Sequence, residues 1–367
     1  MEFSVNKTDI TEAVGNIQRV VSGKTSIPAL EGILIQAGDQ GLRLTAYDLE
    51  MSITTVVPAS VREPGKTVLD AKKFSDIVRH SPAETLTVVV DDKDMAEMSS
   101  GAYVTQMPGI PAQEFPELPK VTDYTKLTMP GNVLKSMIRQ TMFAIAESDA
   151  KPIHQGSLFN IEQGILDVVS VDGYRLAKRT EPIQFDEDIS FVVPGKTLSE
   201  LLKLIKDNDE PVDICPGKRH ILFTIDNYTV ISSLLEGEFL NYKAAIPSDS
   251  QTEVIMNTRM ALDSVGRVSL LITDRLKSPV RCLFDDNLVK LSCTTAGTRT
   301  RDELPVEMTG QSVEIGFNNR YLLDALRNTE CDEVKAQLGG PLSPMKIVPK
   351  EGDSFLFLVL PVRLKSE

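Results

Sequence analysis

The chain has 367 residues, of which 41% are apolar and 5% aromatic, and its 39 Lys+Arg against 52 Asp+Glu give a formal charge of −13 at neutral pH. This composition is that of a soluble globular protein rather than a disordered chain, and at roughly 100–150 residues per domain the length predicts two or three domains. Four distant cysteines and three histidines exclude a readable zinc site or disulfide framework, and no apolar run approaches the ~20 residues of a membrane span.

The first four residues lack the basic region and apolar run of a signal peptide, so we expect a cytoplasmic protein with no membrane partner. Taken over the whole chain, the acidic balance argues against nucleic acid, because duplex binding rests on Lys and Arg neutralising phosphates.

The first predicted element is a helix over residues 6–22, in which apolar residues recur at helical spacing on one face. Strand-like sequence follows from Gly32, with a turn at Gly38-Asp39, and a second helix is predicted over 71–81. The apolar face of the first helix comprises Ile10, Val14, Ile17 and Val21.

This pattern repeats twice more along the chain. First helices are predicted over 130–147 and 257–272, and second helices over 196–206 and 318–328. Markers of different elements share one period of 124 residues: Gly32 with Gly156, Asp48 with Asp172, and Asp70 with Pro194 and Asn318. A common period across several element types indicates a threefold internal repeat.

Each repeat closes on alternating apolar runs such as Thr85 to Val90, which predict antiparallel strands. The fold class is therefore predicted as α+β, with three topologically similar domains that each pack two helices on antiparallel sheets. The domains are predicted over 1–122, 128–247 and 253–367, and the Pro-rich stretch 108–123 and the segment 245–253 are interpreted as linkers.

No motif predicts catalysis or a cofactor. Three Gly-Lys-Thr tripeptides, at Gly23, Gly65 and Gly195, lack the glycine five positions earlier that a phosphate-binding loop requires. Asp172 to Arg175 could hold a catalytic acid beside a base, but a turn capped by the aspartate is the favoured interpretation. Ser343 and Lys346 have the spacing of a serine nucleophile and its base, but Pro344 breaks the helix that this motif needs.

The positive charge is concentrated on the predicted helices. The six helices hold 14 Lys and Arg against 7 Asp and Glu, whereas the rest of the chain holds 25 against 45. Lys and Arg are common on solvated helix faces, but Glu has a similar helix propensity and is scarce here. The pattern therefore favours a functional basic surface on the helices.

The size of a domain tests whether this basic surface could line the hole of a ring around a duplex. A domain of ~120 residues is equivalent to a sphere of about 17 Å radius, so three domains in a closed ring leave a hole about 5 Å across and six leave about 35 Å. A B-form duplex is on the order of 20 Å wide. One chain cannot encircle a duplex, but a head-to-tail dimer of pseudo-equivalent domains could.

The sequence resembles the bacterial sliding clamp family, the beta subunits of DNA polymerase III, over essentially its whole length. The resemblance lies in five motifs that occur in the family's order and spacing: L-T-A-Y-D-L-E-M from Leu44, S-V-D-G-Y-R-L-A from Ser170, E-G-E-F-L-N-Y-K-A-A-I-P from Glu236, I-G-F-N-N-R-Y-L-L-D-A-L from Ile315, and L-P-V-R-L from Leu360.

The resemblance implies a non-catalytic accessory subunit of the DNA polymerase III holoenzyme, a head-to-tail ring homodimer that encircles duplex DNA without reading its sequence and supports DNA replication as a processivity factor. Its implied partners are the DNA polymerase III alpha subunit, the clamp loader, and other polymerases and repair proteins that carry a clamp-binding peptide. The residues expected to face DNA are Lys24, Lys72, Lys73, Arg79, Lys151, Lys196 and Lys203.

The resemblance also implies a hydrophobic peptide-binding pocket between the middle and C-terminal domains. An apolar chain end with a flexible Met and a Pro nearby suits a tolerant peptide site. The pocket residues carried over are His154, Val171, Gly173, Tyr174, Arg175, Leu176, Leu240, Ala244, Ala245, Pro344, Met345, Leu358, Val359, Leu360, Pro361, Val362 and Arg363.

For the dimer interface the family pairs edge strands of the N- and C-terminal domains. In this chain those strands would lie near 103–107 and 298–304. A rival hypothesis is a protein scaffold that binds peptides while its helices are only solvated faces; an enzyme is a more distant alternative. The expected interface residues are Tyr103, Thr105, Met107, Leu270, Leu271, Thr298 and Thr300.

Overall fold

The computed structural model describes residues 1–21, 23, 25–148, 151–273, 278–295 and 297–364. The predicted threefold repeat is confirmed in the order of elements: in each repeat a strand and a helix precede several strands, and a second helix precedes three closing strands. Within the described ranges, no helix combines the length and apolar character needed to cross a bilayer.

The bounds of the elements in the first repeat are β1 Glu2–Asn6, α1 Lys7–Ile17, β2 Gly32–Gly38, β3 Gly41–Tyr47, β4 Met51–Val57, β5 Ala59–Glu63, β6 Gly65–Asp70, α2 Ala71–His80, β7 Thr85–Val90, β8 Met95–Ser100 and β9 Tyr103–Pro108. Those of the second are β10 Leu127–Pro130, α3 Gly131–Met142, β11 Gly156–Glu162, β12 Ile165–Val171, β13 Arg175–Pro182, β14 Ile189–Pro194, α4 Gly195–Leu204, β15 Pro211–Pro216, β16 His220–Ile225 and β17 Tyr228–Ser233. A short helix, α5 Tyr242–Ala245, then leads to the third repeat: β18 Thr252–Asn257, α6 Thr258–Val268, β19 Val280–Asp285, β20 Leu288–Thr295, β21 Thr298–Pro305, β22 Glu307–Gly310, β23 Val313–Phe317, α7 Asn319–Arg327, β24 Glu333–Leu338, β25 Met345–Pro349 and β26 Phe355–Val359.

Side-chain caps fix the starts of the helices in the terminal repeats. Asn6 and Asn257 accept a hydrogen bond from the second or third amide of α1 and α6, and Asp70 and Asn318 do the same for α2 and α7. A capping Asn or Asp satisfies an amide that the helix itself leaves unpaired, which stabilises the helix by about 1 kcal/mol. The polar starts seen in the sequence are therefore the physical origin of the repeated helix register.

The first helix of each repeat is shorter than predicted. α1, α3 and α6 end at residues 17, 142 and 268, whereas the sequence pattern extends them to 22, 147 and 272. After α1 and α6 a single 3-10 turn follows, and Val21 and Ile272 then adopt extended backbone. Val21 and Ile272 match the helical spacing of apolar residues, but they follow a 3-10 turn and are not part of the helix.

The stretch 108–123, predicted as a linker, packs on the first repeat. Ile110 forms a backbone bridge with Val68, and the side chain of Phe115 is buried against Leu30 and Tyr47 of the first repeat. An apolar side chain every few residues lets this segment pack on the repeat that it leaves, and a single 3-10 turn at Ala112–Glu114 follows Pro111.

The chain forms two compact units, residues 1–133 with 199–234, and residues 134–198 with 235–367. The first unit holds a five-stranded sheet, β5-β1-β7-β8-β9, and an eight-stranded sheet, β10-β15-β16-β17-β4-β3-β2-β6. The second holds a nine-stranded sheet, β14-β11-β12-β13-β26-β25-β24-β18-β22, and a four-stranded sheet, β21-β20-β19-β23. All their strand pairs are antiparallel, as predicted.

Two of these sheets cross from one repeat into the next. β4 of the first repeat pairs with β17 of the second, and β13 of the second pairs with β26 of the third. In each case an inner strand of one repeat joins the closing strand of the following repeat. We call each such pairing a junction.

Candidate functional site

The predicted pocket residues gather around the junction of β13 and β26. Arg175 lies opposite Val359 and Leu176 opposite Leu358 in the antiparallel register. Beyond the end of β26 the pairing continues, because the amide of Leu360 donates to the carbonyl of Tyr174 at 3.0 Å. The chain end and the turn before β13 are therefore held side by side.

An aspartate-capped turn presents this edge. One carboxylate oxygen of Asp172 accepts hydrogen bonds from the amides of Tyr174, at 2.9 Å, and of Arg175, at 3.0 Å. Gly173 has a φ of 86°, a left-handed conformation that suits glycine. The turn interpretation of this segment is confirmed, and both carboxylate oxygens of Asp172 are committed to holding it.

The floor beneath the turn is apolar. Leu176 and Leu358 are 3% and 2% exposed and pack in one cluster with Ile153 and Tyr242. The buried ring of His154 contacts Phe239 edge-on, with centroids 5.4 Å apart.

Exposed apolar side chains surround this floor. Tyr174 is 62% exposed, Leu240 42%, Leu360 37% and Val362 40%. Soluble proteins usually cover exposed apolar clusters, so exposed apolar residues beside the junction of β13 and β26 indicate a binding surface. We call the floor and this rim the groove.

The one arginine of the groove floor is already neutralised. Arg175 donates through Nε to Asp172 at 2.8 Å and through Nη1 to Asp324 of α7 at 2.5 Å, and its side chain is 12% exposed. Its guanidinium lies 4.7 Å from the centroid of the Tyr321 ring. Because two carboxylates and a ring hold this charge, the guanidinium positions the turn instead of offering a free cation to a ligand.

One wall of the groove is anchored through Tyr242 on the short helix α5. The Tyr242 hydroxyl donates to Oδ2 of Asp167 at 2.9 Å and accepts from Asn160 at 3.4 Å. Burial and, secondarily, the charge of Asp167 hold the pKa of Tyr242 well above its ordinary value. The hydroxyl therefore remains a donor across the physiological range, and the wall residues on either side of it stay fixed.

The remaining predicted pocket residues divide by exposure. Val171, Met345 and Val359 are buried and can only support the floor. Pro344 and Pro361 are half-buried, whereas Gly173, Ala244, Ala245 and Arg363 are exposed. The structure also places the two residues that have the spacing of a serine nucleophile and its base. Lys346 is buried and its ammonium donates to the carbonyl of Pro247, and Ser343 lies outside any helix.

Four residues near the groove were missed by the sequence analysis. Asp324 and Tyr321 project from α7 of another repeat, and Phe143 packs its ring 5.2 Å from that of Phe357. Leu342, 74% exposed, precedes Met345 in the loop before β25. Of these four residues, only Leu342 had a local sequence signal, because it is an apolar residue in a Gly-Gly-Pro loop. The other three are placed by contacts between residues that are distant in the sequence.

The described residues expected to face DNA are exposed on their own elements. Lys72, Lys73 and Arg79 lie on α2, and Lys196 and Lys203 on α4. Lys203 also forms an ion pair with Glu200 at 2.7 Å. Lys151 is exposed before β11, and Lys24 lies outside the described residues. As observed, the six long helices hold 12 Lys and Arg against 6 Asp and Glu, so the predicted basic bias persists.

The strands expected at the dimer interface are both edge strands. β9 ends the five-stranded sheet and β21 ends the four-stranded sheet. On β9 Tyr103 is 39% exposed, and Leu270, in the turn after α6, is 79% exposed. Of the other predicted interface residues, Thr298 is exposed, Thr105, Thr300 and Leu271 are half-buried, and Met107 is buried.

Comparisons with known protein families match nearly the whole length of the chain. Family models of the DNA polymerase III beta subunit match the N-terminal domain at residues 1–119, the central domain at 128–241 and the C-terminal domain at 243–363. Among the described residues, no cluster of His, Cys, Asp and Glu could hold a metal ion.

Relatives of known identity agree with these models. The beta sliding clamp of Bacillus subtilis is 33% identical, with 99% of this chain and 100% of the relative covered, and that of Halalkalibacterium halodurans is 32% identical with the same coverage. The crystal structure of the B. subtilis DNA polymerase sliding clamp superposes with a TM-score of 0.96 at 31% identity over 100% of both chains. A putative DNA polymerase III beta subunit from Eubacterium rectale gives 0.94 at 32% identity over 99% of both. The chain therefore belongs to the family of DNA polymerase III beta subunits, the beta sliding clamps.

Proposed function

We propose that two copies of this chain join head to tail into a ring that encircles duplex DNA, and that the groove then tethers DNA polymerase III and other replication and repair proteins. In this proposal the chain is an accessory subunit of the polymerase holoenzyme without an active site of its own. One observation carries the proposal: the two junctions inside the chain follow one rule, and the strands at the corresponding positions of the first and third repeats, β9 and β21, are edge strands.

The rule concerns which residues of the two paired strands lie opposite each other. In the first junction Met51, the first residue of β4, lies opposite Ser232, the fifth residue of β17. In the second, Arg175, the first residue of β13, lies opposite Val359, the fifth residue of β26. Both junctions are thus built in the same register.

The free edges β21 and β9 occupy the corresponding positions in the third and first repeats. Applied to them, the rule pairs Thr298 of one copy with Met107 of the other and Thr300 with Thr105. An unpaired edge strand exposes a row of amide and carbonyl groups, so an antiparallel partner in this register satisfies both edges. Two copies form two such contacts, which closes the ring.

The basic helices supply the grip on DNA. Lys and Arg side chains that neutralise phosphates bind any sequence and leave the protein able to slide. Each neutralised phosphate adds about 0.9 to the slope of log affinity against log salt. Because two copies form the ring, replacing Lys72 and Lys73 by Gln removes four contacts and should lower that slope by roughly 3.6.

The groove suits the apolar residues of a short extended peptide. Its floor is an apolar cluster, its rim carries exposed apolar side chains, and Arg175 is internally paired. Affinity for such a peptide comes from burying apolar side chains, at about 25 cal/mol per Å² of apolar surface, and not from charge. The proposed ligands are the clamp-binding peptides of the polymerase alpha subunit, the clamp loader, and other polymerases and repair proteins.

A cross-linking experiment tests the ring without any partner protein. Thr105 and Thr300 are both replaced by Cys, and half-buried Cys331 is replaced by Ser to limit background thiols. Directly opposed residues of antiparallel strands have Cα atoms about 4.5–5.5 Å apart, within the span of a disulfide. Oxidation should therefore yield a covalent dimer, whereas a control pair of Thr105→Cys with Glu303→Cys, three residues out of register, should not cross-link.

The same variant tests encirclement. Oxidised in the presence of a nicked circular plasmid, it should remain on the circle through a high-salt wash and be lost once a restriction enzyme linearises the plasmid. Equal retention on circular and linear DNA would refute encirclement, and loss from both would favour a scaffold that does not enclose DNA.

A fluorescent clamp-binding peptide of the polymerase alpha subunit tests the groove. Leu360→Asp should abolish its binding, since a charge is introduced into the apolar rim. Ile165, an exposed apolar residue on the β11–β12 hairpin (47% exposed against 37% for Leu360), provides the matched control as Ile165→Asp. Equal losses in the two variants would contradict the assignment of the groove.

A further inference from the structure

An aromatic residue begins the closing strand of each repeat, and its exposure depends on whether a repeat precedes it. Tyr228 begins β17 and is 7% exposed, and Phe355 begins β26 and is 1% exposed. Tyr103 begins β9, which has no preceding repeat in the chain, and is 39% exposed. The first two aromatic residues lie on strands paired at junctions and are buried, whereas Tyr103 lies on an edge strand and is exposed.

The first junction shows what covers such a tyrosine. Tyr228 lies opposite Thr55, the fifth residue of β4, and its hydroxyl accepts a hydrogen bond of 2.7 Å from Nδ2 of Asn16. Asn16 is the tenth residue of α1. The cover therefore consists of the strand residue opposite the ring and a donor from the first helix of the same repeat.

In the third repeat, an ion pair occupies the positions that correspond to Asn16 and Thr55. α6 has the same length as α1, and its tenth residue is Arg267. The fifth residue of β21 is Asp302, whose Oδ2 accepts from Nε and Nη2 of Arg267 at 2.7 and 2.6 Å. Ser264 donates to the same oxygen at 2.8 Å.

This pair is suited to remain ionised and accessible. Partial burial raises the pKa of Asp302, but the hydrogen bonds from Ser264 and Arg267 outweigh it and leave the pKa below its usual value. The Arg267 side chain is 60% exposed. An exposed guanidinium held flat by a carboxylate is a good surface for an aromatic ring.

We propose that Tyr103 of one copy packs on the Arg267–Asp302 ion pair of a second copy, where the guanidinium donates a hydrogen bond to the tyrosine hydroxyl. The inference rests on the proposed dimer, and it assigns that dimer a specific anchor. Under the junction rule Tyr103 lies directly opposite Asp302, as Tyr228 lies opposite Thr55. The partner is thus a second copy of this chain, because its β9 begins with an aromatic residue, as the closing strands of both internal junctions do.

The test measures the dimer dissociation constant by sedimentation and by subunit exchange, using the full chain. Tyr103→Phe removes one hydrogen bond at each of two interfaces, so the constant should rise about thirtyfold. Tyr103→Ala also removes the ring and should raise it roughly a thousandfold. Tyr124, 46% exposed between the first two repeats, is the matched control, and Tyr124→Ala should leave the constant unchanged.

A double-mutant cycle isolates the contact. In an Arg267→Met background the thirtyfold effect of Tyr103→Phe should largely disappear, because the donor is already absent. A stable wild-type dimer in which Tyr103→Phe has no effect, or has the same effect with and without Arg267, would overturn the anchor while leaving the ring intact. A wild-type chain that stays monomeric at every concentration would instead refute the proposed dimer itself.

Discussion

The link between Tyr242 and Asp167 should control both stability and peptide binding. Tyr242 is 5% exposed and donates to a carboxylate that also accepts from Thr180 at 2.6 Å. Tyr242→Phe keeps the ring and its packing but removes the hydroxyl, and with it the hydrogen bond donated to Asp167 and the longer one, 3.4 Å, accepted from Asn160.

The expected magnitude follows from the acceptor. A hydrogen bond to a charged group contributes about 1.5–3 kcal/mol, and the remaining bond from Thr180 keeps Asp167 partly satisfied, so we expect a loss near the lower limit, about 1.5 kcal/mol. Because α5 carries one wall of the groove, peptide affinity should also fall severalfold.

The pH dependence has a definite sign. The pKa of Tyr242 is raised in the folded chain, mainly by burial and then by the charge of Asp167, so its hydroxyl stays protonated there when unfolded tyrosine ionises at its ordinary pKa of about 10. Its contribution to stability is fully present below pH 10 and declines as the pH rises above that value. The difference between wild type and Tyr242→Phe should therefore be constant from pH 7 to 9 and shrink above pH 10.

Urea unfolding at pH 8 and pH 10.5, with fluorescent-peptide titration at pH 8, measures both effects. Tyr124→Phe, at an exposed position, is the control for a general effect of losing a hydroxyl. If Tyr242→Phe matched wild type within about 0.5 kcal/mol at pH 8, the hydrogen bond would not anchor the wall as argued.

Three further changes have defined outcomes. Gly316→Ala would place a Cβ 2.7 Å from the carbonyl of Val362, so it should cost about 1–3 kcal/mol in urea unfolding and weaken peptide binding without altering dimerisation. Leu49 has a φ of 77°, and Leu49→Gly should raise the free energy of unfolding by about 0.5 kcal/mol, because relief of strain exceeds the added entropy of the unfolded glycine. Burial raises the pKa of Asp213, but hydrogen bonding, chiefly from Lys126, holds it below its usual value; Lys126→Met should thus reduce stability at pH 7 and flatten its loss on acidification.

Local signals in the sequence predicted the elements well. Gly32 and Gly156 begin β2 and β11, and the polar starts at Asp70 and Asn318 cap α2 and α7. These features depend on backbone conformation and capping, which neighbouring residues determine. The ends of the first helices were wrong because an apolar residue in an extended segment can match a helical period.

The contacts that shape the groove could not be predicted in this way. Arg175 meets Asp324, which is 149 residues away, and Tyr242 meets Asp167 at a distance of 75 residues. No local pattern specifies such partners, because they depend on how the strands of two repeats align. The family resemblance gave an expected set of pocket residues, but it did not show that the arginine is internally paired or which hydrogen bond holds the wall.

The threefold repeat places an acidic residue of each second helix at an equivalent position, where an arginine of the preceding repeat can reach it. Asp76, Glu200 and Asp324 occupy the same position of the second helix, 124 residues apart. Arg19 of the first repeat reaches Glu200 at 2.9 Å, and Arg175 of the second reaches Asp324. Among the described residues, the Asp76 side chain contacts Arg79 of its own helix at 3.8 Å and is about half exposed.

A series of head-to-tail repeats always leaves one half-junction unfilled at its start and the complementary half at its end. In this chain the unfilled halves are the edge strand β9, with its exposed Tyr103, and the edge strand β21, beside Arg267 and the exposed Leu270. Adding a fourth repeat would only move the open end, whereas in the proposed dimer a second copy would fill both halves with surfaces that the fold already contains. In that dimer the third junction would reuse the backbone register of the two internal junctions, so the side chains of β9 and β21 would determine how tightly the ring closes.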